Sequence, residues 1–248
     1  MDLDAYLRRI GYAGSCEPTI ETLRAMHRTH FYSVPFENLD ISLGRRIEVD
    51  EDVNFNKIVN EGRGGFCLEL TGTFARALRQ MGFRVDVLGA RVLAPTGQLS
   101  HPLSHMTLLV HLDEPWIVDV GFGGRIAAPL RLNDSSLQEA EGRSHAVAND
   151  GDHWLVTAGE PGNEGGTYVF TLQPREFGEF HEVCDWLQTS AESRFTHGPI
   201  VSLATPSGRR TLAGSRLILT ENGARTESEV ATEAEQREIL REQFGIGV

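Results

Sequence analysis

The sequence predicts an α+β fold in which helices come first, strands follow, and a mixed segment closes the chain. Three observations predict it. Apolar residues recur at helical steps through the first 82 residues, the period changes to alternation from about residue 83, and the last third joins strand patterns to a final helix.

The elements follow in order. DLDAYLRRIGY places Leu3, Tyr6, Leu7 and Ile10 at three- and four-residue steps, the mark of an amphipathic helix. PTIETLRAMHRTHFYSV opens with Pro18 and Thr19 and puts Glu21 in the first turn, where the helix dipole favours a negative charge. Thr22 rather than Glu or Gln stands three residues after Thr19, so a full capping box is absent, while Ile20, Leu23 and Met26 keep the helical step. SVPFENLDISLG is a loop that Pro35 prevents from extending either helix. After Cys67, Leu70, Phe74, Leu78 and Met81 form a helix face that Gly82 is placed to cap. The strand patterns FRVDVLGARVL, HMTLLVHL, PWIVDVGF, HWLVTAG and GTYVFTLQP then succeed one another, with APTG, LDEP and NDGD as turns. Short strands at this spacing predict a small barrel or a sandwich. PIVSLATPSGRRTLAGSRLILTENG supplies two strands around TPSG, and TEAEQREILREQFGI a helix with Ile239, Leu240 and Phe244 on one side. No internal repeat or long linker interrupts the order, so subdomains sharing one interior are expected.

Composition excludes several classes of function. With 248 residues, 40% of them apolar and 23% charged, the chain reads as an ordinary globular protein. Its longest apolar runs are far too short to span a bilayer. Its opening is amphipathic and interrupted rather than a charged-then-apolar leader, so a cytoplasmic location is expected. Three cysteines, Cys16, Cys67 and Cys184, are few and odd in number, which suits a reducing compartment. With no CxxC pair and no HExxH, no metal site is expected. A net charge of −12 argues against nucleic acid as partner, though a local basic pocket is compatible with an anionic small molecule.

The candidate chemistry centres on GRGGFCLEL, residues 62–70. Cys67 falls where a helix begins, beside unpaired N–H groups and the positive dipole end, a setting that lowers a thiol pKa and offers donors to an oxyanion. Gly64 and Gly65 allow close approach of another backbone or a substrate. Arg63 either adds positive charge there or pairs with a carboxylate such as Glu37. The stretch alone fits both a nucleophile and an inert packed thiol. A phosphate-loop reading of EGRGGF fails because no Gly-Lys-Ser/Thr follows and no clear strand precedes. Of nine histidines, His27 and His30 lie on a helix face, and His145, His153 and His197 in loop-like polar stretches. His105 opens a strand, and the next strand carries Asp119 between Val118 and Val120, where an unpartnered acid is costly. A hairpin turning at Leu112 or Asp113 puts His105 and Asp119 on one face, and a two-residue turn puts them on opposite faces. In the first register Asp119 can orient His105 while His105 takes the Cys67 proton. In either register Asp119 can instead be satisfied by backbone amides.

At these residues the sequence resembles the arylamine N-acetyltransferase family. RGGFCLEL matches its cysteine motif, SHMTLLV its histidine strand and VDVGFGG its aspartate strand; PFENLD, WLQTSAESRF and LREQFGI also match, in order along the whole chain. The resemblance implies an N-terminal helical bundle over residues 1–82, a central β-barrel over 83–185 and a C-terminal α/β lid over 186–248. It implies acetyl transfer from acetyl-CoA, a substrate rather than a bound cofactor, to an aromatic amine or hydrazine by a ping-pong route through a cysteine thioester. Cys67 then is the nucleophile, His105 the base and Asp119 the orienter. Phe122, Gly123 and Gly124 match the loop lining the acceptor and coenzyme pocket, and His101, Ser104, Trp186 and Glu192 fall on positions that contact ligand in some relatives. The coenzyme fits if the strands around Arg209 and Arg210 face the cleft. Three features depart from the pattern: Thr71 stands where relatives commonly have asparagine, Cys184-Asp185 replaces an Asn-containing stretch, and the chain is short for the family. A branch of the family closes macrolactam rings with the same triad. A cysteine hydrolase and a non-catalytic binding module are the readings from other classes.

Overall fold

The computed structural model describes residues 1–160 and 163–247. Asp2 starts the first helix, α1 (Leu3–Ile10), by accepting the Ala5 N–H at 3.0 Å, and Gly11 ends it in the left-handed conformation. Thr19 starts α2 (Ile20–Ser33) in the same way, taking the Thr22 N–H at 3.3 Å. Pro35 then turns the chain into a segment expected as plain loop, which holds a two-residue strand, β1 (Phe36–Glu37), and one helical turn, α3 (Leu39–Ser42). Asp50 caps α4 (Glu51–Phe55), which runs into a π-turn over Asn56–Asn60. The helix α5 (Cys67–Gln80) starts at the cysteine and is buried along almost its whole length. Gly82, with φ of 88°, follows its last turn.

The barrel is an antiparallel sheet of eight strands. They are β2 (Arg84–Leu93), β3 (His105–His111), β4 (Pro115–Val118), β5 (Leu130–Arg131), β6 (Gln138–Ala140), β7 (Arg143–Asp150), β8 (His153–Glu160) and β9 (Asn163–Arg175). Their order is β5-β4-β3-β2-β9-β8-β7-β6, and β5 touches β7, so the sheet nearly closes on itself. The fold is therefore α+β with a barrel rather than a sandwich. The strands at 130–150 carried no clear alternation in the sequence. His145, expected in a loop, lies buried in β7, where its Nε2 accepts the Ala127 N–H at 3.2 Å.

After α6 (His181–Thr189) come β10 (Ile200–Thr205), β11 (Gly208–Ala213), β12 (Arg216–Glu221), β13 (Ala224–Glu229) and α7 (Glu233–Phe244). Four strands stand here where the sequence suggested two. The edge strand β13 is exposed throughout and polar, so it left no apolar alternation to detect. β1 pairs with β10 through Phe36↔Ser202 and Glu37↔Val201, tying the first helices to the C-terminal sheet. The division expected between 185 and 186 falls inside α6, because Val183, Cys184 and Leu187 form one continuous buried face. Residue 248 lies outside the described residues.

One core cluster joins α1, α2, α5, β2–β4 and α6 through Tyr6, Met26, Phe74, Val110 and Val183, among others. Truncating a fully buried side chain such as Phe74 to alanine costs about 3–5 kcal/mol. A second cluster fills the barrel around Ile117, Phe122, Tyr168 and Phe170, and a third seats α7 under the C-terminal sheet. No helix among the described residues is long and apolar enough to cross a membrane.

Candidate active site

Cys67 owes its position to close backbone approaches. A Cβ on Gly64 would collide with the Pro35 carbonyl, and the Gly65 carbonyl accepts the Glu37 N–H at 2.9 Å. Beneath this turn lies a buried ionic cluster. Arg63 pairs with Glu37 at 2.7 Å and Asp40 at 3.1 Å; Lys57 pairs with Asp40 at 2.7 Å and Glu69 at 2.8 Å. Of the two roles open to Arg63 in the sequence, pairing with Glu37 is the one the structure assigns. Glu69 also accepts the Phe66 N–H at 3.0 Å, half a capping box at the start of α5. Burial and the nearby Glu37 charge push the Glu69 carboxyl up to about 7, against the pull of Lys57. Burial works against the Lys57 ammonium, but Glu69, Glu37 and Asp40 outweigh it and raise its pKa to about 12. Removing one partner from such a cluster leaves a buried charge uncompensated, at about 3–5 kcal/mol.

The β3–β4 register pairs His111 with Pro115, which centres the hairpin on Asp113 and puts His105 and Asp119 on one face, diagonally related. The strand ends at Val118, so Asp119 opens the following loop. Its carboxylate accepts from His105 Nε2 at 2.7 Å and from the Gly121 N–H at 2.8 Å, and its charge acts on the buried Tyr168 hydroxyl, which is 3.3 Å from Thr107 Oγ1. Its backbone carbonyl lies 3.1 Å from His27 Nε2. With Nε2 engaged, Nδ1 is the His105 nitrogen left for Cys67, whose side chain interacts electrostatically with the imidazole and donates to the Ser104 carbonyl at 3.6 Å. A Cβ on Gly121 would stand 2.8 Å from the Cys67 Cα, so only glycine lets the Asp119 loop pass this close to the helix start.

Burial alone would lower the His105 pKa. The Asp119 charge and hydrogen bond, joined by Cys67, reverse that and raise it to about 10. The three groups thus form a line at the start of α5, all buried. Such a line can pass a proton from sulfur to imidazole and hold the resulting cation.

The other expected residues gather unevenly. The Phe122 ring lies 5.1 Å from that of His105 and edge-on to Tyr168. Gly123 and Gly124 take φ of 61° and 72°, and the Gly123 carbonyl accepts from Arg209 at 3.3 Å. His101 stacks on Trp186 at 4.7 Å. Ser104 is buried, whereas Glu192 is exposed on the loop after α6. Arg210 points the other way from Arg209, toward the Gln243 carbonyl at 3.4 Å beside α7. Thr71 Oγ1 is buried without a hydrogen-bond partner and faces Gly121. Cys184 donates to the Ile47 carbonyl at 3.5 Å, and Asp185 pairs with Arg46 at 2.9 Å on the surface. No cluster of three His, Cys, Asp or Glu suited to a metal occurs among the described residues. Sequence reasoning missed His27 and Tyr168 at Asp119, and Arg194, whose guanidinium interacts electrostatically with Cys67. Arg194 lies within the quoted WLQTSAESRF, while the other two gave no local signal.

The chain matches the N-acetyltransferase family profile over residues 19–248. It is 34% identical over 250 residues to an arylamine N-acetyltransferase of Escherichia coli K12, covering 99% of this chain and 89% of that protein. Among solved structures, the arylamine N-acetyltransferase from M. tuberculosis superimposes with a TM-score of 0.92 at 31% identity, over 99% of this chain and 94% of that one. The Mycobacterium marinum enzyme in complex with CoA superimposes with a TM-score of 0.89 at 29% identity, over 99% and 93%.

Proposed function

The chain belongs to the arylamine N-acetyltransferase family of acyltransferases, and we propose that it moves an acetyl group from acetyl-CoA to an aromatic amine or hydrazine through a thioester on Cys67. The observation that carries this reading is the Cys67–His105–Asp119 line at the start of α5. Use of a coenzyme A thioester is supported by the CoA complex of the M. marinum relative. Three unpaired thiols suit a reducing, cytoplasmic setting.

In the first half-reaction His105 takes the Cys67 proton and the thiolate attacks the acetyl carbonyl carbon. The oxyanion meets the N–H groups of the first turn of α5, and collapse expels the CoA thiolate, which recovers a proton from His105. In the second half the amine attacks the thioester, His105 removes its proton, and the Cys67 thiolate leaves. An aromatic amine suits this step because its low basicity leaves it unprotonated near neutral pH. Asp119 holds His105 with Nδ1 toward sulfur throughout. The helices through α5 supply the nucleophile, the barrel side supplies His105 and Asp119, and the strands and helix that follow α6 act as the lid. Phe122, Gly123, Gly124, His101, Ser104, Trp186 and Glu192 border the acceptor and coenzyme.

Initial rates with acetyl-CoA and an aniline varied together test the order of events. Parallel double-reciprocal lines are expected. Intersecting lines would replace the two-step route with direct transfer in a ternary complex. Turnover of only longer acyl thioesters would favour the macrolactam-forming branch.

A further inference from the structure

Among the described residues, three that are not glycine take a left-handed φ: Leu103 at 59°, Glu141 at 50° and Asn222 at 51°. Glu141 and Asn222 each precede a glycine in a two-residue hairpin turn, where such angles are ordinary. Leu103 stands elsewhere, in the turn that leads into β3. The Ser104 N–H donates to the His101 carbonyl at 3.1 Å, so Pro102 is second in this turn and Leu103 third. A positive φ at that place calls for glycine or asparagine, and leucine holds it only at a cost in backbone strain.

The side chain supplies the compensation. It fills a notch over Gly89 of β2, where an added Cβ would collide with Leu103 Cδ2, and it packs against the main core. Gly89 lies at the step where the register between β2 and β9 shifts. The start of the turn is fastened to β2 as well. Ser100 exchanges hydrogen bonds with the Val92 backbone at 2.8 and 2.9 Å, and the Ser100 and Ser104 hydroxyls lie 2.5 Å apart. What this anchoring delivers is the Ser104 carbonyl, which accepts from the Cys67 thiol at 3.6 Å, and then His105. A carbonyl oxygen accepts from S–H but repels a thiolate, so it fixes the sulfur and opposes loss of its proton, the reverse of what His105 does. We infer that Leu103 is a positioning residue for the nucleophile: seated over Gly89, it holds the Ser104 carbonyl on Cys67 and restrains the thiol until His105 draws the proton away. The inference rests on Cys67 as the nucleophile of the proposed reaction but not on acetyl-CoA as its partner.

The test follows the rate at which iodoacetamide alkylates Cys67, a step in which the thiolate forms the S–C bond and iodide leaves. Rates are read at the Cys67 peptide from about pH 5 to about pH 9, a span that covers the ordinary histidine and thiol values. The titratable and charged groups around Cys67 are His105 with Asp119 behind it, Arg194 from the turn after α6, Cys184 of α6, and Glu69 two residues along its own helix. Substitution at 103 or 89 alters none of them. In Leu103→Gly the notch is emptied, and in Gly89→Ala the leucine is pushed out of it. In both, the midpoint of the rate against pH should fall by about half a unit, the shift expected when one weak hydrogen bond to the neutral thiol is lost. Leu103→Met refills the notch with an unbranched chain and should keep the wild-type midpoint. The double variant should match Leu103→Gly alone, because no leucine remains for the added methyl group to displace. A merely structural role would lower the melting temperature and leave the midpoint in place. An unchanged or raised midpoint in folded Leu103→Gly and Gly89→Ala proteins therefore overturns the inference, as does a full shift in Leu103→Met. If wild-type Cys67 resists alkylation throughout the range, the nucleophile itself fails and the inference falls with it.

Discussion

Replacing Asp119 by asparagine isolates the part of the site that the hairpin register builds. The side chain keeps its shape, and its carbonyl can still accept the Gly121 N–H now held at 2.8 Å. The amide NH2 then faces His105 Nε2, where a carboxylate oxygen accepts at 2.7 Å. To avoid opposing donors the imidazole must move its proton to Nδ1, the nitrogen that has to receive the Cys67 proton. The magnitude follows from His105, whose pKa rises from 6.5 to about 10 despite burial, with the Asp119 charge the largest favourable contribution. That rise corresponds to about 5 kcal/mol in favour of the imidazolium, and losing most of it predicts a fall on the order of 10³–10⁴ in rate. The assay is single-turnover release of CoA from acetyl-CoA, with a melting curve to establish that the variant is folded. A folded Asp119→Asn protein within about threefold of wild type would refute the reasoning, since a neutral side chain would then suffice to orient His105.

Two other outcomes follow from the same geometry. Limiting iodoacetamide near pH 6.5 should label Cys67 before Cys16, although Cys16 is exposed and Cys67 buried, and should spare Cys184, whose thiol burial pushes up to about 12; labelling in order of exposure would contradict an activated Cys67. Glu69 holds its proton to about pH 7 when folded and to about 4.5 when unfolded, so its contribution to stability is full below 4.5 and lost as pH rises through 7. In urea unfolding, Glu69→Gln should therefore gain on wild type by up to about 3 kcal/mol between those limits, and parallel stability curves would show that Glu69 does not titrate there.

The start of α5 was legible because a helix face and a glycine run bracket one cysteine. The His105–Asp119 relation was legible only conditionally. Its sign depended on whether the turn is centred on a residue, and the centre at Asp113 settled it. The short strand at Phe36–Glu37 was hidden because its partner lies some 165 residues away, and a two-residue strand has no period of its own. β5 to β7 mix polar residues into both faces, so alternation, the main strand signal, was missing. His27 and Tyr168 reach Asp119 from α2 and β9, and neither stretch differs locally from ordinary core. The Arg63 and Lys57 pairings were likewise underdetermined, since charge pairing across a buried cluster depends on which carboxylates tertiary packing collects.

The measurement that bears most directly on a covalent cysteine intermediate is the intact mass of the protein after mixing with acetyl-CoA alone, followed by addition of an aniline. One acetyl group should appear, map to Cys67, be absent from Cys67→Ser, and vanish when the amine is added. No adduct on wild-type protein that still acetylates the amine would contradict the thioester. An adduct that decays equally fast without amine would mark the protein as a hydrolase.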